Sequence, residues 1–164
     1  IRSCLLSRGL GDVYKRQKDT YIGEVRDNFA WFNKILVRWI DMDVYGHVNN
    51  VQYYSYFDSA VAEHLIQHGE LDPKNSPIIG LVVETKCTFL KSIPFPATVN
   101  VGLRVSRIGK TSATYEIGLF VNDEVTPAAT GYFVHVYVER STQKPVAIPN
   151  KRRKAIEMLL VENR

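Results

Sequence analysis

The sequence predicts an α+β fold in which a five-stranded antiparallel sheet wraps one long helix. Two observations carry this prediction. Apolar residues from Val51 to Leu65 recur at steps of three and four, the period of a helix, whereas the segments downstream alternate with period two. Short turns rich in Gly, Asn and Asp separate those alternating segments, as in an antiparallel meander.

Taken in order, Phe32 to Trp39 is the first strand candidate, apolar and aromatic, and it runs into a polar loop. Asn49 or Asn50 suits the N-cap of the next helix, because a side-chain amide oxygen can accept an orphan backbone N–H. Asn50 is the simpler choice. Val51, Tyr54, Phe57, Val61 and Leu65 form one apolar strip and Tyr53, Tyr56 and Ala60 a second, so little of this helix is expected to meet water. Gly69 is the expected left-handed stop. At about 1.5 Å per residue, Val51 to His68 spans roughly 27 Å, the width of a small domain. Ile78 to Leu90 is the second strand, broken by Pro94 and Pro96. Val99, Val101, Leu103 and Val105 alternate along a third strand, and Gly109-Lys110 turns the chain. Ala113, Tyr115, Ile117, Leu119 and Val121 alternate along a fourth, and Asn122-Asp123 turns it again. Tyr132, Val134, Val136 and Val138 mark the fifth. A short terminal helix starts near Lys151.

Composition narrows the function classes. The 164 residues suit one domain with a sizeable core, and 45% apolar with 23% charged residues is ordinary for a soluble globular protein. No apolar run approaches the roughly 20 residues of a membrane span. Cys4 and Cys87 lie far apart, without disulfide-framework or metal-ligand spacing, so a cytoplasmic setting is expected and no metal or other cofactor. The net charge of +4 suggests nucleic acid at first sight. Most of it, however, lies in residues 1–17, where Arg2, Arg8, Lys15 and Arg16 face only Asp12; the rest of the chain is nearly neutral. Nucleic acid and membrane are therefore not expected partners.

Residues 1–17 lack the apolar core of a signal peptide. Asp12 to Gln17 also match the translation of GATGTGTATAAGAGACAG, a transposon end used in sequencing libraries. They are expected to be a non-native or disordered tail, with residues 18–164 forming the single domain.

The chemistry concentrates between Arg38 and Asp58. Asp41 and Asp43 are followed by Gly46, His47, Asn49 and Asn50, directly before the helix. A carboxylate beside a helix N-terminus, with its unpaired N–H groups and positive dipole end, suits attack on a carbonyl. His64, His68 and His135 lack metal-ligand spacing, and Ser55, Ser59 and Ser112 lack a nucleophile-elbow motif.

The motif D-M-D-V-Y-G-H-V-N-N-V-Q-Y at Asp41 to Tyr53, followed by this strand pattern, resembles the hot-dog-fold thioesterases, nearest to their 4-hydroxybenzoyl-CoA thioesterase-like acyl-CoA branch. The G-H-V-N-N element also recurs in plant acyl-ACP thioesterases. The resemblance covers roughly residues 34–139; R-I-G-K-T-S at Arg107 to Ser112 and T-G-Y at Thr130 to Tyr132 agree with it. It implies hydrolysis of an acyl-CoA or acyl-ACP thioester, with Asp43 as general base or nucleophile. His47 and Asn50 would support it, and Gly46, Val48 and Asn49 would meet the substrate, with backbone N–H groups near Val48 and Asn49, at the first helical turn, donating to the oxyanion. It further implies a homodimer, or a tetramer built from two. A related branch carries a functional His seven residues after its Asp and a Tyr four before it. Asn50 and Trp39 stand at those positions here, so that branch's His–Asp mechanism is not carried over. Asp41 is expected to be a structural cap, and the helix tyrosines mainly core. Asp58 and Glu63 are fallback carboxylates. A non-catalytic acyl-CoA sensor, a dehydratase and a purely structural subunit are the rival readings.

Overall fold

The computed structural model describes residues 23–161. The expected tail, residues 1–17, lies outside the described residues. The elements are β1 (Trp31–Leu36), α1 (Asn50–His68), β2 (Ile78–Phe89), β3 (Thr98–Ile108), β4 (Ser112–Val121), β5 (Ala129–Glu139) and α2 (Asn150–Glu157). The strands form one antiparallel sheet in the order β1-β3-β4-β5-β2, with α1 against one face. This is the α+β hot-dog arrangement.

Alternation explains how the sheet meets the helix. Leu103 pairs with Ile117, and Ile117 with Gly131, so these residues share the inner face. Opposite them α1 buries Tyr53, Tyr56, Phe57, Ala60, Val61 and Leu65. Each large side chain among these contributes about 1.5–3 kcal/mol by leaving water. Phe57 meets Phe133 edge-on at 5.8 Å, and Trp31 of β1 meets His64 at 5.1 Å. The α2 helix closes the far end: His64 Nε2 lies 2.9 Å from the Ala155 carbonyl oxygen.

Five local expectations are corrected. The first strand ends at Leu36 rather than Trp39. There the chain leaves the sheet for a 3-10 turn, Trp39–Asp41, held by reciprocal bonds between Arg38 and Asp41. The helix cap is Asn49 rather than Asn50; the Val51 N–H donates to its Oδ1 at 3.1 Å. Gly69 ends α1 at φ −104°, and the left-handed residue is Glu70 at φ +52°, where the Leu71 N–H turns back to the Leu65 carbonyl. The helix is also wetter than its composition suggests, since Val51, Tyr54, Ser55, Asp58, Ser59, Glu63 and Ile66 form an exposed stripe. Finally, the inner face of β5 is Phe133, His135 and Tyr137, while Val134 and Val136 lie half-buried on the outer face.

The two edges of the sheet differ. β1 has 6 residues and β2 has 12, with Leu81, Val82, Val83 and Phe89 exposed along β2. A long apolar edge strand is a template for pairing with another strand.

Candidate active site

The loop between β1 and α1 folds as a tight turn hung from buried struts. The Tyr45 N–H donates to Asp43 Oδ1 at 2.8 Å, and the Asp43 N–H donates to the His47 carbonyl at 2.9 Å. Gly46 closes the turn at φ +86°, a conformation that strains any residue with a Cβ. Met42 and Val48 then face each other as an antiparallel bridge.

Asp41 is the main strut. It is fully buried and accepts from the Arg38 N–H at 2.9 Å, the Arg38 Nη2 at 2.7 Å and the Tyr56 hydroxyl at 2.9 Å. Burial alone would push its carboxyl up. The hydrogen bonds and charge of Arg38, with the Tyr56 bond, outweigh that and hold it below the ordinary 3.8. The Asp41 carbonyl also accepts the Asn49 N–H at 2.8 Å, tying the loop to the cap of α1. Asp41 is therefore the structural cap expected of it.

Asp43, two residues on, faces a cleft of about 440 Å³ lined by Tyr45, His47, Val48, Asn50 and Tyr53, and by Phe89 to Ser92 from the end of β2. Its side chain is 16% exposed and its Oδ2 lies 3.4 Å from His47 Nδ1. Tyr45 stacks beside the His47 ring at 6.3 Å. Asp43 thus combines a loop-capping oxygen, Oδ1, with a second oxygen directed at His47. At the back of the cleft, burial pushes the Tyr53 phenol up to about 12, while a hydrogen bond with the Ile93 backbone lowers it. Tyr53 packs edge-on against Phe89 at 4.9 Å.

The expected oxyanion donors, the N–H groups near Val48 and Asn49, are narrowed by their hydrogen bonds. The Val48 N–H donates to the Ile93 carbonyl at 2.9 Å and the Asn49 N–H to Asp41, so neither is free to meet substrate. The Val51 N–H is taken by the cap. Among the described residues, the Asn50 N–H and side-chain amide have no hydrogen-bond partner, and Asn50 lines the cleft at the first turn of α1. Asp43, His47, Val48 and Asn50 therefore come together. Asn49 serves as the cap, and Gly46 shapes the turn. Asp58 and Glu63 lie on the exposed stripe of α1, where Glu63 accepts from Gln67 Nε2 at 2.6 Å; neither lines the cleft. Among the described residues no group of three His, Cys, Asp or Glu side chains is placed to hold a metal, and no helix is long and apolar enough to cross a membrane.

Reading the sequence alone missed Tyr53 and Phe89 as cleft walls. Tyr53 stands three residues after Asn50, one helical turn inside the mouth, and that spacing was the available signal. Phe89 comes from a strand remote in sequence and carried none.

The chain belongs to the thioesterase-like superfamily, whose model matches residues 37–156. It is similar to the PA5185 protein of Pseudomonas aeruginosa strain PAO1 at 44% identity, covering 85% of this chain and 98% of that one with a TM-score of 0.83. It is also similar to the thioesterase candidate PA2801 of Pseudomonas aeruginosa at 30% identity, covering 78% of this chain and 98% of that one with a TM-score of 0.72. The uncharacterized protein YsmA of Bacillus subtilis strain 168 is 26% identical over 133 residues, 81% of this chain and 89% of that protein. Family and neighbours together support thioester hydrolysis.

Proposed function

We propose that this protein hydrolyses acyl-CoA thioesters with Asp43 as the reacting carboxylate, in the manner of the 4-hydroxybenzoyl-CoA thioesterase-like branch. The observation that carries the proposal is the position of Asp43: it is the carboxylate lining a cleft that ends on the first turn of α1. In this reading Asp43 Oδ2 takes a proton from water as the water attacks the thioester carbon. His47, 3.4 Å away, orients that oxygen. The charge that develops on the carbonyl oxygen meets the Asn50 N–H and amide and the positive end of the α1 dipole. The tetrahedral intermediate then collapses, releasing the carboxylic acid and CoA thiolate, and Asp43 gives its proton up to the thiolate or to solvent. Direct attack by the Asp43 carboxylate, expelling CoA thiolate to give a mixed anhydride that water then hydrolyses, uses the same geometry.

The long apolar β2 edge supports a two-fold dimer in which two β2 strands join the sheets, with a tetramer as a further doubling. Cysteine usage supports a cytoplasmic setting.

The test is thiol release, followed with a thiol reagent, from acyl-CoA esters of varied acyl group and from the matching pantetheine esters. Release well above the uncatalysed rate, faster with CoA, is expected. No release above background across the panel would overturn the proposal.

A further inference from the structure

The outer face of the sheet, turned away from α1, carries a second hollow, of about 200 Å³. Strand register builds it. Arg104, Glu116, Tyr132 and Lys86 stand opposite one another on β3, β4, β5 and β2, so one row of polar side chains crosses four strands on the same face. In the next row Gly118 pairs with Thr130, and Phe29, from the segment before β1, packs against Gly118 as the apolar wall. Hydrogen bonds use up part of the row. The Arg104 guanidinium donates to both Glu24 oxygens, at 2.7 and 3.0 Å, and to Glu116 Oε2 at 2.6 Å. The Tyr132 hydroxyl donates to Glu84. Three groups are left without a partner among the described residues: the Lys86 ammonium, Glu116 Oε1 and the Thr130 hydroxyl. Lys86 is exposed, but Thr130 is only 6% exposed. A buried hydroxyl almost always has a partner in a native fold, and an orphan that lines a hollow points to something that enters it.

The charges narrow what that is. Lys86 and Arg104 balance Glu24 and Glu116, so the four charged side chains lining the hollow sum to zero, and a phosphate would face two carboxylates. An unpaired ammonium and an unpaired carboxylate oxygen, separated by β5 alone, instead suit a ligand with one charge of each sign. At about 4.8 Å per strand their Cα positions lie roughly 10 Å apart, a span that two long side chains bridge with a small molecule between them. A volume of about 200 Å³ is the liquid share of roughly six or seven waters, the size of alanine or serine. We propose that the hollow binds a small α-amino acid as its zwitterion, with the carboxylate on Lys86 and the Thr130 hydroxyl, the ammonium on Glu116 Oε1 and the side chain toward Phe29. The sheet separates this site from α1, and it stands independently of the hydrolase reading.

Calorimetric titration of the full chain with L-alanine and L-serine tests the proposal. Propionate, which has only the carboxylate, propylamine, which has only the ammonium, and inorganic phosphate are titrated in parallel. Alanine or serine should bind saturably with a Kd of about 1 mM or lower, and each of the three controls at least tenfold more weakly. Thr130→Val keeps the side-chain shape and removes the hydroxyl, and Lys86→Met removes the charge at an exposed position; each should weaken amino-acid binding at least tenfold while Tm and circular dichroism stay as in wild type. Thr130→Ser, which retains the hydroxyl, should bind within threefold of wild type, a rescue that a purely structural role of Thr130 would not produce. No saturable binding of either amino acid up to about 10 mM would overturn the proposal. So would propionate or phosphate binding as tightly as the amino acid, or folded Thr130→Val or Lys86→Met protein with unchanged affinity.

Discussion

Replacing Asp41 by Asn tests whether the buried strut beneath the loop between β1 and α1 is electrostatic in origin. The Asp41 carboxylate is fully buried and receives the Arg38 guanidinium, the Arg38 N–H and the Tyr56 hydroxyl within 2.7–2.9 Å. Asn keeps the shape and one acceptor oxygen but places an NH2 group against donors. A hydrogen bond to a charged group is worth about 1.5–3 kcal/mol. Breaking a fully buried ion pair costs about 3–5 kcal/mol. The Arg38 side chain is 64% exposed, so the ion-pair part is screened and the lower range applies. The expected loss is about 2–3 kcal/mol, or about 5–10 °C in Tm for a domain of this size. The sign with pH follows from the depressed carboxyl. Its contribution is present above the ordinary value of 3.8 and fades as pH falls through the lower folded value. Urea unfolding of wild type and Asp41→Asn at pH 7 and below pH 3.5 measures both effects. A loss under about 0.5 kcal/mol at pH 7, or a difference that does not shrink in acid, would refute this reasoning.

Four further outcomes are expected. Burial pushes His135 down to about 4, and both its ring nitrogens lack hydrogen-bond partners among the described residues. The unfolded chain therefore takes up a proton below about 6.5 that the folded one refuses, and stability falls by about 3 kcal/mol between pH 6.5 and pH 4; His135→Phe, packed among Tyr115 and Phe133, should flatten that limb of the stability curve. Light scattering should return twice the 18.7 kDa chain mass, or four times it, and Val83→Lys on the β2 edge should shift the protein toward monomer; a monomeric wild type at micromolar concentration would remove the dimer proposal. His47→Ala should lower kcat less than changes at Asp43. Asn50→Ala, which removes only the side-chain amide, should cost less than the roughly 3 kcal/mol of a full oxyanion donor, because the backbone N–H survives; a larger loss at Asn50 would make the amide the principal donor.

The fold was largely legible because two periods dominate the chain. The period-two runs Val99 to Val105 and Ala113 to Val121 became β3 and β4 with the anticipated inner faces, and the three-four spacing after Val51 became α1. Legibility failed where both faces of a strand are apolar. In β5 the β-branched residues Val134 and Val136 mark one face and Phe133 and Tyr137 the other, and only pairing with Tyr115 reveals which points inward. The exposed stripe of α1 was hidden for a related reason, since Val51, Tyr54 and Ile66 look like core residues. At the site, the sequence placed Asp43, His47 and Asn50 together because they are close along the chain. It carried no sign that the Ile93 carbonyl claims the Val48 N–H or that Asp41 claims that of Asn49. Those contacts are tertiary, and they move the proposed oxyanion site to Asn50.

Steady-state thioester hydrolysis by Asp43→Asn tests the central claim most directly. The substitution keeps the side-chain shape, and Oδ1 can still accept the Tyr45 N–H, so the turn should persist and circular dichroism should match wild type. Loss of the negative charge removes proton transfer or nucleophilic attack, each dependent on the carboxylate. General-base assistance alone contributes about 10² to 10⁴ in rate. The account predicts a fall in kcat of at least about 10²-fold with KM within a few-fold of wild type. A correctly folded Asp43→Asn protein with near-wild-type kcat would contradict it.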